Sequence, residues 1–299
     1  MPLRCSSVAE LSYESQLGGV AVASVSTPEF TVPSLAPARF VNSRVHAEIG
    51  RYRLRLAQSV EDRDAACRLR FKVFNIELGK GLESSYETGL DTDQFDLFCE
   101  HLLVEDKVDR RIVGTYRMQS GATAAQNLGY YSEQEFDLSP YEGMRSEILE
   151  LGRASIDREH RTPEVLTLLW RGIAQYATDM QLRYLIGCSS LNSVDPREGW
   201  QMYAQLKNYR VAGGFETLPA DGYVCPGEET DPAAEKTPEL VSEPVKVPKL
   251  LKTYLAIGAR ICSAPAWDRE FGTIDFLTLL DLRTISSSAR NRFLAPLAE

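Results

Sequence analysis

The sequence predicts a mixed α/β domain in which helices flank a single β-sheet. Segments with the two-residue alternation of β-strands are interleaved with two segments that have the apolar spacing of amphipathic helices. Their order along the chain is strand, helix, three strands, helix and strand, which is typical of a mixed sheet flanked by helices. The length of 299 residues and the apolar fraction of 43% allow one large globular domain or two small ones.

The first half of this layout follows from residue periodicity. Residues 52–56 alternate between apolar and arginine side chains and predict a strand, and the apolar residues within 60–78 have the spacing of a helix. Residues 100–105 and 111–119 are both strand-like. Because the polar turn Asp106–Arg110 joins them, we expect a β-hairpin.

The second half begins with the segment Glu147–Ile156, which predicts another strand. Thr162 and Pro163 then mark the start of a helix, because threonine is a frequent N-cap and proline is favoured at the first helical position. A continuous apolar stripe follows along this helix. Residues 182–191 predict the strand after it.

Three segments differ in composition from this α/β pattern. Residues 1–48 are rich in Ser, Ala, Val and Pro without a sustained period, which predicts a flexible extension before a domain over 49–225. Residues 226–248 hold five of the fifteen prolines and six acidic residues, which predicts a mobile loop. Residues 249–299 regain apolar content, and we expect this segment either to pack on the domain or to touch an anionic membrane.

Charge balance and missing motifs disfavour several classes of function. The formal net charge of −9 predicts no nucleic-acid partner. The six cysteines are widely separated, and metal-ligand spacings, Walker A, GxGxxG and GxSxG motifs do not occur, which predicts no metal and no bound cofactor. No apolar run reaches the ~20 residues that span a bilayer. This predicts a cytoplasmic protein, with peripheral contact to the inner membrane face left open.

Glu150 is the first candidate for catalysis. It lies in an otherwise apolar predicted strand, and burying a carboxylate is costly unless it is partnered. A partly buried glutamate has a raised pKa and can accept a proton from an amine. A salt bridge to Arg153 is the structural alternative, although strict alternation places these two residues on opposite faces unless a bulge forms at Gly152.

The loop 157–162 is the second candidate, because it leads directly into the N-terminus of a predicted helix. Helix N-termini offer free backbone N–H groups and favour anions. Arg158, His160 and Arg161 add positive charge, and Thr162 caps the helix, so the loop is a candidate phosphate site. An exposed loop with ordinary surface charges is the alternative.

The acidic stretch Asp91–Asp96 is the third candidate. It lacks the glycine and the glutamate that an EF-hand calcium loop requires. Its carboxylates could hold a cationic substrate or pair with Arg70, Arg117 and Arg153, which lie in apolar elements. A solvated loop is the alternative.

A series of short motifs runs along residues 52–195 in a characteristic order. They are Arg70–Phe74, Asp91–Asp96, His101–Val104, Val113–Arg117, Glu135–Leu138, Leu149–Ser155, Leu169–Ile173 and Gly187–Ser190. In this order they resemble the acyl-carrier-protein-dependent branch of the GNAT-like N-acyltransferases, and most closely the ornithine lipid synthase N-acyltransferases. Residues 265–268 also resemble the C-terminal part of that group.

The resemblance implies a GNAT-like fold and an activity. The fold is a twisted mixed β-sheet flanked by helices, with strands splayed around an acyl-thioester channel. The activity is transfer of a (3-hydroxy)fatty acyl group from the 4'-phosphopantetheine of acyl carrier protein to the α-amine of an amino acid. Ornithine is the favoured acceptor and a lyso-ornithine lipid the product.

The resemblance also implies roles for particular residues. Glu150 and Arg153 match the E-x-x-R strand motif and are the expected catalytic residues. The loop formed by Arg158, His160, Arg161 and Thr162 is expected to bind the phosphopantetheine of the acyl carrier protein. The expected substrate-binding residues match the family's first helix, acidic loop and strand arginine, and they are Arg70, Phe74, Asp93, Asp96 and Arg117.

Three alternatives share this fold. A long-chain N-acyl amino acid synthase would use another acceptor, such as glycine or tyrosine. An acyl-homoserine-lactone synthase would use S-adenosylmethionine, but Gly79–Gly81 stands where that group carries a tryptophan. A non-catalytic acyl-binding or interaction protein is disfavoured by the presence of both Glu150 and Arg153.

Overall fold

The computed structural model describes residues 45–227, 244–287 and 290–291 of the chain. The described residues contain nine strands in one mixed sheet. The strands are β1 His46–Ile49, β2 Tyr52–Leu56, β3 Glu100–Asp106, β4 Arg111–Ser120, β5 Ile148–Ile156, β6 Tyr184–Leu191, β7 Arg260–Ile261, β8 Ala266–Asp268 and β9 Thr273–Asp281.

Six α-helices accompany these strands within the described ranges. They are α1 Val60–Phe71, α2 Ser85–Thr88, α3 Gly121–Gln126, α4 Pro163–Asp179, α5 Pro196–Gln205 and α6 Lys249–Ile257. Helix α1 continues as a π-helical segment over Lys72–Glu77. Helix α4 begins as the sequence predicts, with Thr162 as N-cap and Pro163 in the first turn.

The sheet has the strand order β1-β2-β3-β4-β5-β6-β9-β7, and β8 pairs with β9. Strands β5 and β6 are parallel, and the other pairs of named strands are antiparallel. The predicted mixed sheet flanked by helices is therefore confirmed. The sequence analysis missed β9, which lies beside β6 inside the sheet and comes from the segment after residue 249.

The two long helices pack on opposite faces of the sheet. Leu102 and Val104 of β3 lie in the core cluster that contains Leu169 of α4. Leu103, which points to the other face because strand side chains alternate, packs against Ala66 of α1. Helix α1 thereby carries its side chains to the middle of the sheet, over β4 and β5.

Strands β5 and β6 separate soon after they meet. Their pairing runs only from Ile148 opposite Tyr184 to Glu150 opposite Ile186, although both strands continue beyond these residues. Gly187 stands at the point of separation, where an added Cβ would lie 2.2 Å from the carbonyl oxygen of Leu151. A side chain there would collide with the backbone of β5, so this crossing requires glycine. The predicted splay of the sheet is thus present at Glu150.

Two predicted segments fall largely outside the described residues. The extension over 1–48 is described only from residue 45 onward, and the loop 226–248 lacks a description over 228–243. Helix α6 buries Leu251, Leu255 and Ile257. Among the helices of the described residues, none has both the length and the apolar character that a membrane crossing demands.

Candidate active site

Three arginines and three aspartates form a buried group next to the separation of β5 and β6, here called the Arg–Asp cluster. It joins helix α1, the loop before β3, strand β4 and strand β5. Its members are Arg70, Asp91, Asp93, Asp96, Arg117 and Arg153.

Each arginine of the Arg–Asp cluster bonds to aspartate. Arg70 donates from its two terminal nitrogens to the two carboxylate oxygens of Asp96 at 2.7 and 2.9 Å, and its Nε donates to Asp91 at 2.8 Å. Arg117 donates to Asp93 at 2.6 Å and to Asp96 at 3.2 Å. The pair of Arg70 and Asp96 is fork-shaped, with two parallel N–H···O bonds, and such pairs are among the strongest hydrogen-bonded ion pairs in proteins.

The pairing balances the charges within the Arg–Asp cluster. Burial alone would raise the pKa of Asp96, but the guanidinium groups of Arg70 and Arg117 outweigh burial and hold that pKa below its ordinary range. The pKa of Asp93 is lowered in the same way, against burial, by Arg117 and Arg153. All three aspartates therefore face arginines, and the arginine network left open by the sequence is formed.

A local capping motif fixes the acidic loop. The Asp93 carboxylate accepts from the backbone N–H of Phe95 at 2.9 Å, and Asp96 Oδ2 accepts from the N–H of Asp93 at 2.9 Å. These reciprocal bonds form a capping box at the 3₁₀ turn Gln94–Leu97. The predicted substrate-binding residues Arg70, Asp93, Asp96 and Arg117 are brought together, and contact with substrate stays a prediction for each.

Glu150 lies at the last position of β5 that pairs with β6, and it is 5% exposed. Its carboxylate accepts from the backbone N–H groups of Tyr131 and Ser132, both at 2.8 Å, and from the Ser132 hydroxyl. Burial raises the pKa of Glu150 and outweighs these hydrogen bonds, which lower it. The carboxyl group is therefore held in place with a proton affinity above that of an exposed glutamate.

A β-bulge in β5 gives Arg153 a different set of partners from Glu150. Gly152 pairs with Arg117 and Ser155 pairs with Thr115, so two residues of β5 stand opposite one residue of β4. Arg153 has a left-handed backbone, with φ of 50°. Its guanidinium donates to Asp93 Oδ2 at 3.1 Å, and the alternative salt bridge to Glu150 is not formed.

Phe74 is connected to Arg153 of the Arg–Asp cluster through the ring of Phe271. Its ring meets the ring of Phe271 edge to face, with 6.1 Å between the centroids. The guanidinium carbon of Arg153 lies 4.4 Å from the centroid of Phe271 and 4.8 Å from that of Tyr131. Arg153 is thus held between two aromatic rings, which favours a cation.

The predicted phosphate loop forms a short 3₁₀ turn over Arg158–His160 before helix α4. Arg158 is exposed, and Arg161 donates to both carboxylate oxygens of Glu77 at 2.6 and 2.7 Å. The ring of His160 is buried against the hydroxyl of Tyr52 and the guanidinium of Arg111. The structure therefore places the two arginines at the surface and His160 beneath them.

The Thr162 side chain caps helix α4 by accepting from the N–H of Val165 at 3.5 Å. This bond satisfies one of the N–H groups that a helix N-terminus leaves open. Pro163 has no N–H, and the N–H of Leu166 donates to the carbonyl of Thr162 at 3.2 Å. Thr162 therefore begins the helix whose N-terminus supports the predicted phosphate site, and binding itself stays a prediction.

A second group of charged residues was missed by the sequence analysis. Glu135, Asp268 and Asp275 are all buried, and carboxylate oxygens of the three lie within 4.8 Å of one another. We call them the acid cluster. Asp275 carries the same sequence signal as Glu150, because it is a carboxylate inside the apolar strand β9. Glu135 stands in a short irregular segment and carries no such signal.

Two members of the acid cluster, Glu135 and Asp275, have raised pKa values. Burial raises the pKa of Glu135, and the neighbouring charges of Asp275 and Asp268 raise it further. Burial also raises the pKa of Asp275 to about 6, against hydrogen bonds from Ser190 and Thr273. These carboxyl groups therefore bind protons more tightly than ordinary acids, which is the opposite of the Arg–Asp cluster.

Comparison with known proteins agrees with this geometry. The family model described as "Acetyltransferase (GNAT) domain" matches residues 69–171, which span the Arg–Asp cluster, Glu150 and the start of α4. An L-ornithine N(alpha)-acyltransferase of Agrobacterium fabrum is 31% identical over 82% of this chain and 86% of its own length. A protein of the same name from Rhodobacter capsulatus is 29% identical over 80% of this chain and 93% of its own length.

Two solved structures show weaker similarity. The AHL synthase LasI shares 12% identity and a TM-score of 0.47, covering 83% of this chain and 98% of that chain. FeeM, an N-acyl amino acid synthase from uncultured soil microbes, shares 13% identity and a TM-score of 0.47, covering 82% of this chain and 97% of that chain.

The splayed mixed sheet and the matched domain define an acyltransferase with a GNAT fold. Two of the curated relatives reach 31% identity over more than four fifths of the chain. The chain belongs to the L-ornithine N(alpha)-acyltransferase family.

Proposed function

We propose that this protein transfers a (3-hydroxy)fatty acyl group from acyl carrier protein to the α-amine of ornithine, giving a lyso-ornithine lipid. The observation that carries the proposal is the position of Glu150, a buried carboxylate at the point where β5 and β6 separate. The membership of the chain in the L-ornithine N(alpha)-acyltransferase family supports ornithine as acceptor.

The separation of the strands supplies the place for the acyl thioester. Beyond Glu150, strand β5 pairs with β4 on one side and no longer with β6 on the other. Alternate backbone N–H groups of a strand point to each side, so part of β5 offers donors toward the gap. These donors would hold the pantetheine arm in the acyl-thioester channel and stabilise the negative oxygen that forms during transfer.

The transfer needs no covalent enzyme intermediate. The neutral α-amine attacks the thioester carbonyl, so a C–N bond forms and the C–S bond breaks. The amine gives up one proton, and the pantetheine sulfur takes a proton and leaves as a thiol. Glu150 accepts the proton of the amine, directly or through one water.

The contacts of Glu150 leave room for this task. An ionised carboxylate has about four acceptor positions, and three are occupied by Tyr131 and Ser132. One position remains for the amine or a water. Tyr131 links Glu150 to Arg153, because its backbone N–H donates to Glu150 and its ring lies against the guanidinium of Arg153. Arg153 is a fixed cation, held also by Asp93 and by the ring of Phe271.

The donor would dock at the N-terminus of α4. Arg158 and Arg161 would meet the acidic carrier protein, and the helix N-terminus at Thr162 would hold the phosphate of the pantetheine arm. His160 would support this loop from below through Tyr52. We expect the protein to act in the cytoplasm. Since the product is a lipid, we also expect peripheral contact at the inner membrane face.

An assay with the full chain tests the proposed function. Purified protein is given 3-hydroxyacyl carrier protein or the matching acyl-CoA, together with ornithine, glycine or tyrosine. We expect N-acyl ornithine from the carrier-protein donor, detected by mass spectrometry. Transfer only to glycine or tyrosine, acyl lactone formation from S-adenosylmethionine, or no product at all would each overturn it.

Glu150→Gln tests the base. General-base catalysis contributes about 10²–10⁴-fold, so kcat should fall by at least about 100-fold while the fold is kept. Glu142→Gln, at an exposed glutamate paired with Arg145, is the matched control and should leave kcat unchanged. Wild-type turnover by Glu150→Gln would remove Glu150 from the mechanism.

A further inference from the structure

The acid cluster brings three carboxylates together from distant parts of the chain. Glu135 ends the 3₁₀ turn Tyr131–Gln134, Asp268 ends β8, and Asp275 lies in β9. Their exposed fractions are 2%, 5% and 2%, respectively. Burying three acids side by side is unfavourable unless a cation accompanies them.

Among the described residues, no lysine or arginine forms an ion pair with any member of the acid cluster. Arg153 is close enough to lower the pKa of Glu135 and of Asp275. Its ion pairs, however, are with Asp91 and Asp93 of the Arg–Asp cluster. Within the described residues, the carboxyl groups of the acid cluster therefore have no ion-paired cation of their own when they are ionised.

Two buried carboxylate oxygens of the acid cluster also have no hydrogen-bond partner in the part of the chain that the structure describes. They are Oε2 of Glu135 and Oδ1 of Asp275. Other oxygens are satisfied, because Asp268 Oδ1 accepts from the N–H of Phe271 and Asp275 Oδ2 accepts from the Thr273 hydroxyl, both at 2.8 Å. Buried acceptors are rarely left without donors, so the open oxygens indicate a donor that comes from a ligand.

The acid cluster adjoins the carboxylate proposed as the base. Cys188 follows soon after the last β5–β6 pair, and its thiol lies close enough to Glu135 to lower the pKa of that carboxyl group. Burial raises the pKa of Cys188, and the charges of Glu135, Asp275 and Glu150 raise it further, so one side chain lies near all three. Ser132 connects the same groups, since it donates to Glu150 and stands three residues before Glu135.

We infer that the acid cluster is the subsite that binds the side-chain ammonium of the acceptor amino acid while the α-amine stands at Glu150. This inference rests on the proposed function, because it assumes that an amino acid is the acceptor. A primary ammonium carries three N–H donors, which match three carboxylates around one point.

The surroundings of the acid cluster favour an organic ammonium over a metal ion. Mg²⁺ and Ca²⁺ take six or more oxygen ligands, whereas two oxygens of this cluster already accept from Phe271 and Thr273. Aromatic side chains also line the region, because Tyr223 and Tyr131 lie close enough for Glu135 to raise their pKa values. Aromatic faces stabilise ammonium groups.

The test compares ornithine with norvaline, which has the same carbon chain and no side-chain amine. Asp275→Asn and Glu135→Gln keep the shape of the side chains and remove one negative charge each. We expect kcat/KM for ornithine to fall by at least about 30-fold in either variant, since truncating a buried charge pair costs that much or more. Transfer to norvaline should be unchanged or faster, so the preference for ornithine disappears.

Glu142→Gln is the matched control and should keep the wild-type preference, because Glu142 is exposed and paired with Arg145. A wild-type preference for ornithine in both cluster variants would overturn the inference while leaving the proposed function intact. Failure of the wild-type protein to acylate ornithine at all would instead overturn the proposed function.

A direct binding measurement covers the case in which a variant is inactive for another reason. Ornithine should raise the melting temperature of the wild-type protein and not that of Asp275→Asn. Mg²⁺ and Ca²⁺, each added alone to chelator-treated protein, should have no such effect. Stabilisation by either metal that disappears in Asp275→Asn would identify a metal site and overturn the inference.

Discussion

The Arg–Asp cluster and the acid cluster are both buried near Arg153, but they solve the problem of buried charge in opposite ways. The Arg–Asp cluster contains three cations and three anions that bond to one another. The acid cluster contains three carboxyl groups with no ion-paired cation among the described residues. The pKa values of Glu135 and Asp275 are raised, whereas those of Asp93 and Asp96 are lowered.

We interpret the Arg–Asp cluster as a structural frame and the acid cluster as the proposed ammonium subsite, while substrate contact by the residues of the Arg–Asp cluster stays a prediction. A network whose charges already cancel has little to gain from a ligand, and it fixes helix α1, the acidic loop and strands β4 and β5 relative to one another. A group with uncompensated charge and open oxygens gains from a ligand that brings the missing donors. Such sites trade stability of the free protein for affinity.

The largest expected effect comes from breaking the Arg–Asp cluster. Asp96→Asn leaves the buried guanidinium groups of Arg70 and Arg117 without their shared anion. We expect a loss of about 3–5 kcal/mol in the free energy of unfolding, measured in urea. Asp195→Asn is the matched control, because Asp195 pairs with an exposed arginine and asparagine is also a good N-cap. This control variant should lose less than about 1 kcal/mol in the free energy of unfolding. Equal losses in the two variants would show that the cluster is not a frame.

The next effect is a pH dependence that belongs to the acid cluster. The pKa of Asp275 is about 6 in the folded protein, above its value of about 3.9 in unfolded chains. The folded state therefore holds this proton to higher pH. The contribution of Asp275 to stability is greatest below pH 4 and is lost as the pH rises through 6. The loss from this group is about 3 kcal/mol.

Asp275→Asn isolates that contribution. Without ornithine, the variant should gain stability relative to the wild type as the pH rises from 4 to 8, because asparagine resembles the protonated acid. Urea unfolding at several pH values provides the measurement. Parallel stability curves for the two proteins would contradict a raised pKa at Asp275.

Arg153→Lys sharpens the comparison, since Arg153 is the neighbour that both clusters share. Lysine keeps the charge that acts on Asp275 but loses the planar fork that bonds to Asp93 and lies against Phe271. We expect a loss of about 1.5–2 kcal/mol, as for a hydrogen bond to a charged group. The midpoint of the pH dependence of stability should stay the same. A shifted midpoint would show that the pKa of Asp275 depends on more than the positive charge at position 153.

The smallest effect on stability is expected at the proposed docking loop. Charge reversal at Arg158 and Arg161 should change the free energy of unfolding by less than about 1 kcal/mol, because these side chains are exposed. The KM for acyl carrier protein should rise on the order of tenfold, and the KM for ornithine should stay constant. Reversal of Arg197, which is 91% exposed at the start of α5, serves as the control. An unchanged KM for the carrier protein would show that the carrier protein docks on another surface.

Local patterns explain which parts of the fold were predictable. Alternation in 52–56 and the capped start of α4 at Thr162 each report on a few neighbouring residues, and the structure contains both elements. Strand β9 has the buried side chains of a central strand, yet it lies after a segment of different composition and its partner β6 is far away in the sequence. Its place in the sheet depends on a long-range pairing that no local pattern reveals.

The same distinction applies to the candidate site. The sequence predicted Glu150 as an isolated carboxylate in an apolar strand, and it offered the acids and arginines of the Arg–Asp cluster as separate candidates. It did not predict the acid cluster, because Glu135 and Asp275 approach each other only when β8 and β9 are added to the sheet.

The sequence by itself determined the order of the main strands and helices, the buried position of Glu150 and the supply of arginines for the acidic loop. These follow from residue spacing and from the cost of burying charge. Only the tertiary structure decided which charges cancel. A bulge turns Arg153 away from Glu150 toward Asp93, and the packing of β9 brings together three carboxyl groups that have no ion-paired cation within the described ranges. Electrostatic balance depends on distances in space, and distances between residues far apart in the chain exist only after the sheet has formed.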